Sequence, residues 1–135
     1  MKQIGFYVKK TFRIITIEKG EKMDELNQIS MQIILHAGDA RTLAMKAMDI
    51  LAEFKFDEAE DLLKQAKEEL TEAHRVHTGV LQNAIANEEN TYTVLFAHAQ
   101  DTLMGVTSEI NLIEKTYNLM KSVDQRLSKL EKGEN

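Results

Sequence analysis

DEAEDLLKQAKEELTEAHRVHTGVLQNA, Asp57 to Ala84, repeats small and apolar residues at steps of three and four. Ala59, Leu62, Leu63, Ala66, Leu70, Ala73, His77, Val80, Leu81 and Ala84 make one stripe, with charged residues filling the positions between. That period belongs to an amphipathic α-helix, because a half-buried strand would alternate every second residue. Asp57 with Glu60 three residues on predicts the start of the helix through a capping box.

The same period recurs on either side. From about Asp24 to Glu53 the stripe is Leu26, Ile29, Ile33, Ala37, Ala40, Ala44, Ala47, Met48 and Leu51. A third helix is expected from about Thr93 to Lys129, carrying Leu95, His98, Asp101, Met104, Ile110, Ile113, Tyr117, Met120, Val123 and Leu127. Two short connectors, around Phe54–Phe56 and in the polar AIANEENTY stretch (Ala84–Tyr92), make neighbouring helices antiparallel. The expected fold is all-α: three long helices, up-down-up, in one bundle. The stripes are alanine-rich, so the helices can approach closely. One of three helices usually keeps an uncovered apolar face, and self-association is the natural consequence.

Composition agrees. The chain has 135 residues, no proline, no cysteine and no tryptophan, with 43% hydrophobic and 29% charged residues. Without proline nothing interrupts a long helix, and without cysteine there are no disulfides, thiolate metal sites or cysteine nucleophiles. No apolar run is long enough to span a bilayer, and the N-terminus lacks the cleavage pattern of a signal peptide.

Charge divides the chain. Residues 1–22 carry six lysines and arginines against Glu18 and Glu21, a net of +4. The remainder, residues 23–135, holds 11 basic and 20 acidic side chains, a net of −9. So acidic a body repels nucleic acid and suits a basic protein surface. The basic segment does not continue the helical stripe and reads as a strand or a loose arm. Met23 is a second candidate start, because Lys-Gly-Glu before it can be encoded by a ribosome-binding-like string.

Candidate chemistry concentrates in LFAHAQDTLM, Leu95 to Met104. His98 and Asp101 stand at i and i+3 on one helical face, amid apolar neighbours where unpaired ionisable groups are costly. Two readings stay open: a functional pair, or a histidine and an acid that satisfy each other inside the bundle. His74 and His77 form a second i, i+3 pair, but no carboxylate stands where a helical metal site needs one, and no histidine has a glutamate three residues before it. His36, beside Gly38, reads as a surface or packing residue. Glycine-rich phosphate loops, His-Glu-x-x-His and Gly-x-Ser-x-Gly are all absent from the sequence. The methionines fall on apolar stripes and read as core.

Three segments, ISMQIILHAGDARTLAMKAM (Ile29–Met48), FDEAEDLLKQAKEELTEAH (Phe56–His74) and above all HAQDTLM (His98–Met104), resemble the IIA component of the lactose/cellobiose (chitobiose) class of the bacterial sugar phosphotransferase system. The likeness runs from about Met23 to Arg126 and rests on a His-Ala-Gln-Asp followed by a hydrophobic pair. It implies a homotrimer of three-helix bundles. It also implies that His98 accepts a phosphoryl group from the phosphocarrier protein HPr and passes it to a cysteine of a IIB component. Asp101 maps to the aspartate that in relatives lies at the trimer axis and can hold a divalent cation, magnesium being the expected one, with its symmetry mates. Gln100 stands next to the pair as a possible ligand of phosphoryl oxygens, although it faces a different side of the helix.

The chemistry fits the residue types. A neutral imidazole is a competent nucleophile near neutral pH, and three carboxylates converging on an axis need a cation or protons between them. Thr102 stands where many relatives have a second histidine, and His77 where they commonly have glutamine. The expected protein is a cytoplasmic carrier for a disaccharide transporter of lactose, cellobiose or chitobiose type. The competing reading is a trimeric scaffold, or an inactive paralogue, in which His98 and Asp101 are only structural.

Overall fold

The structure is a computed structural model that describes residues 2–88 and 92–133, with side chains from Lys19 onward. Three helices account for nearly all of it: α1 (Lys2–Ala52), α2 (Phe56–Ala86) and α3 (Val94–Glu131). Each packs on the other two in an up-down-up bundle, so α1 and α3 run in the same direction. The fold class read from the sequence is the one observed, and the described residues contain no strand.

The core is one cluster running the length of the bundle. Many of its buried residues are alanines: Ala37, Ala40, Ala44 and Ala47 on α1, Ala59, Ala66 and Ala73 on α2, and Ala99 on α3. A methyl side chain lets backbones close on each other, while Ile33, Leu103, Val106 and Ile110 fill the layers between. Ser30, the buried hydroxyl of this cluster, donates to the Leu26 carbonyl one turn back at 2.7 Å and so adds no orphan group.

Two boundaries differ from expectation. α2 begins at Phe56, with Lys55 as its N-cap and no side-chain cap, so the Asp57–Glu60 capping box does not form. The reversal between α1 and α2 explains this. Phe54 takes a left-handed φ of 60° there, and Phe56 is drawn against Tyr117 of α3, ring centroids 6.0 Å apart. Asp57 and Glu58 end up in the first turn, where they complement the helix dipole instead. At the other end, α1 does not begin near Asp24. Its backbone is helical from Lys2, replacing the strand or loose arm expected for residues 1–22. In the second connector, Glu89–Thr91 lie outside the described residues.

Because the alanine contacts leave no slack, Ala66→Leu should force the α2 backbone away from its neighbours. The expected cost is about 1–3 kcal/mol, read as a lower thermal midpoint, whereas the same change at the exposed Ala52 should be close to neutral.

Candidate functional site

α3 carries the site and has two faces of different kinds. Phe96, Ala99, Leu103, Val106, Ile110, Ile113 and Tyr117 point into the bundle. His98 and Asp101 do not lie on that face; both are exposed. They belong to an outer ridge that continues at steps of three and four through Val94, Gly105, Ser108, Leu112, Thr116, Leu119, Val123, Leu127 and Leu130. Much of this ridge is apolar and uncovered: Val94 is 82% exposed, Leu112 67% and Leu119 62%. The expectation that His98 and Asp101 sit buried amid apolar neighbours is corrected. The sequence shows one stripe, and the structure resolves it into two.

The turn that presents His98 is held firmly. Thr93 caps α3, its hydroxyl accepting from the Phe96 amide at 3.0 Å. Phe96 is buried and stacks on the His77 ring of α2, centroids 5.6 Å apart and planes 15° from parallel. His77, only 7% exposed, bonds through Nε2 to the Gln100 Oε1 at 3.3 Å. An amide oxygen only accepts, so the ring donates. One buried ring therefore holds the residues two before and two after His98. Gln100 is thereby turned toward α2, and this geometry does not support it as a ligand of phosphoryl oxygens on His98. His77 serves packing between helices.

The remaining histidines are also committed. The Thr107 hydroxyl donates to the Leu103 carbonyl at 2.7 Å, so its oxygen accepts from the His74 Nε2 at 3.0 Å. His36 bonds through Nδ1 to the Glu69 carboxylate at 2.7 Å. His74 and His77 thus engage different residues of α3 and do not converge on a metal. Among the described residues, no three histidines or carboxylates gather as metal ligands within one chain.

His98 is different: its ring makes no hydrogen bond or ion pair among the described residues, and neither does Asp101. The mutual satisfaction considered above is not made. Thr102 donates its hydroxyl to the His98 carbonyl at 2.8 Å. A second histidine would present a ring there; in this chain the position is spent on the backbone of the turn. One turn beyond Asp101, the Arg41 guanidinium of α1 reaches across Gly105. It pairs in fork geometry with Glu109, at 2.7 and 2.9 Å. That carboxylate holds the guanidinium above its usual pKa, so the link persists at all physiological pH.

Residues 28–121 match the family described as the lactose/cellobiose-specific IIA subunit of the phosphotransferase system. The chain belongs to that family. It is 35% identical to the oligo-β-mannoside-specific EIIA component of Bacillus subtilis, over 70% of this chain and 86% of the relative. The cellobiose-specific enzyme IIA of Bacillus anthracis superposes with a TM-score of 0.68 at 35% identity, covering 73% of this chain and 90% of that one. The IIA of the diacetylchitobiose branch of Escherichia coli, solved in complex with HPr, gives 0.66 at 26% identity, covering 73% of this chain and 96% of that one. This chain is therefore a sugar-specific IIA component of the lactose/cellobiose type. Among the described residues, no helix is long and apolar enough to cross a membrane.

Exposure and hydrogen bonding together predict an order of imidazole reactivity. Under limiting diethylpyrocarbonate at neutral pH, peptide mapping should find His98 carbethoxylated well before His77, whose ring is buried and stacked.

Proposed function

We propose that His98 is the phosphoryl acceptor of this IIA component, receiving the group from phospho-HPr and passing it to the cysteine of a IIB partner. The observation that supports this most directly is that His98, alone among the four histidines, has a ring both exposed and uncommitted. In the transfer, an unprotonated ring nitrogen uses its lone pair to form a P–N bond. The bond from phosphorus to the donor breaks, and that electron pair leaves with the donor. Positioning and charge stabilisation then carry most of the catalysis. The cysteine-free chain leaves the thiol chemistry to the next protein in the relay.

The outer ridge of α3 supports assembly as a homotrimer. Its residues follow the three–four spacing of a coiled-coil seam, and an exposed row of Leu112, Leu119, Val123 and Leu130 is what a helix presents to copies of itself. Asp101 lies on that ridge, one turn after His98. A single chain offers one carboxylate there, so a magnesium site fits only if several copies bring their Asp101 oxygens together, the hard donors this ion prefers. When bound, the ion would offset the repulsion among those carboxylates. The acidic body, residues 23–135, suits a basic face on HPr, and residues 1–22 form an extension of that domain. A cytoplasmic carrier for a disaccharide fits these assignments. Which sugar is moved is a property of the membrane partner that binds it. In the alternative, a trimeric scaffold or inactive paralogue, His98 and Asp101 are only structural; that they do not bond each other among the described residues favours the carrier.

Incubation with phosphoenolpyruvate, enzyme I and HPr should add one acid-labile phosphoryl group to the intact mass, absent in His98→Ala. No gain with demonstrably active partners would favour the scaffold. Leu119→Glu should shift the sedimentation coefficient toward that of a monomer, and a trimer unaffected by it would place the seam elsewhere.

A further inference from the structure

One polar atom in the described core is unaccounted for. Asn27 of α1 is half-buried, but its Oδ1 is fully buried and has no hydrogen-bond partner. Buried acceptors left bare are rare, and each calls for a partner supplied by some working state of the protein.

The Arg41–Glu109 pair gives the position of that atom. α1 and α3 are parallel, and this link sets their relative height. Asn27 lies fourteen residues before Arg41, and Leu95 lies fourteen before Glu109. Fourteen residues is close to four helical turns of 3.6 residues, about 21 Å. Asn27 therefore shares the α3-facing side of α1 with Arg41, at the height of Leu95. His98 is the next turn up from Leu95 on the same flank of α3. Helical side chains lean toward the N-terminus, which brings an imidazole at 98 down toward that height. The orphan acceptor and the uncommitted ring thus lie at similar heights along one seam, without bonding each other in this structure.

We infer that Asn27 is a positioning residue for His98, its Oδ1 accepting the N–H of one ring nitrogen so that the other is left unprotonated and facing outward. This rests on the reading of His98 as the phosphoryl acceptor. A neutral imidazole has two tautomers, and which nitrogen carries the proton is set by the hydrogen bond it makes. An acceptor on α1 selects one tautomer and fixes the ring plane before the donor arrives. The ring retains its N–H throughout the transfer, so no proton need leave the site as the P–N bond forms. Comparable orienting partners of functional histidines are worth roughly ten- to a hundredfold in activity.

The test uses the full chain with 15N-labelled histidine and compares wild type with Asn27→Leu and Asn27→Asp. Leucine removes the acceptor at similar volume and also removes a bare buried oxygen, so the variant should melt no lower than wild type. Long-range 1H–15N correlation at mildly alkaline pH should show one dominant His98 tautomer in wild type and in Asn27→Asp, and a mixture in Asn27→Leu. Single-turnover transfer from phospho-HPr should slow roughly tenfold in Asn27→Leu, with unchanged dependence on HPr concentration, and should be restored in Asn27→Asp. A folded Asn27→Leu protein with the wild-type tautomer and rate overturns the inference, as does a change confined to the HPr dependence. Failure of wild type itself to take up a phosphoryl group would overturn the carrier reading, while the tautomer comparison would still decide whether Asn27 holds the His98 ring.

Discussion

Close approach at alanine is the constraint from which the rest of this bundle follows. With methyl side chains at many buried positions of α1 and α2, and at Ala99 on α3, the core itself leaves little room for a ligand or a hydrated site. A groove lined by residues of α1 and α2 such as Ile29, Gln32, Val76 and Asn83 opens to solvent. Alanine also contributes little apolar area per residue, so such a core is weaker than a leucine core of equal length. The first consequence pushes outward: chemistry is left to the surface of the bundle.

The α2–α3 seam adds specificity where the core adds little. Glu60 pairs with Tyr117, Lys67 with Glu114, His74 with Thr107 and His77 with Gln100. As the first number of each pair rises the second falls, as it must for antiparallel helices in one register. Exposed pairs such as Lys67–Glu114 add little stability on their own. A slip by one turn, however, would break all four rungs at once and leave the buried His77 ring without its acceptor, which is costly. The register in turn decides which residues of α3 face α2, and so which are left for the outer ridge.

The helices were legible in the sequence because a 3.6-residue period survives whatever the partner. The start of α3 was placed near Thr93 from the apolar period, and the structure makes that residue the N-cap. The faces of α3 were not. This helix has apolar residues toward the bundle and more along the opposite ridge, so a single stripe drawn through Leu95, His98, Asp101, Met104 and Ile110 mixes the two. The pattern in one chain cannot separate a face buried by its own bundle from one buried by another copy. His98 was still found, since an imidazole and a carboxylate among aliphatic residues stand out on either face. The role of His77 was hidden because its partners, Phe96 and Gln100, belong to another helix. Asn27 was missed altogether: a lone asparagine within a helix, between Leu26 and Gln28, carries no signal until its oxygen is seen to be bare.

On the proposed reading of His98, the same ring atom is offered to two proteins in succession, and this sets opposing demands on the histidine. Exposure lets both partners reach the ring; order keeps transfer from losing the benefit of positioning. A ring on a flexible loop meets the first demand only, and a ring in the core meets the second only. Here the backbone of the turn is fixed from beneath by the Thr93 cap, the Phe96–His77 stack and the Thr102 bond, while the imidazole stands outside. What those contacts leave free is rotation of the ring itself. A single acceptor on the neighbouring helix would remove that freedom without covering the nucleophilic nitrogen, and within the chain α1 is placed to supply it, because the side of α3 toward α2 is already occupied by Gln100 and Thr107.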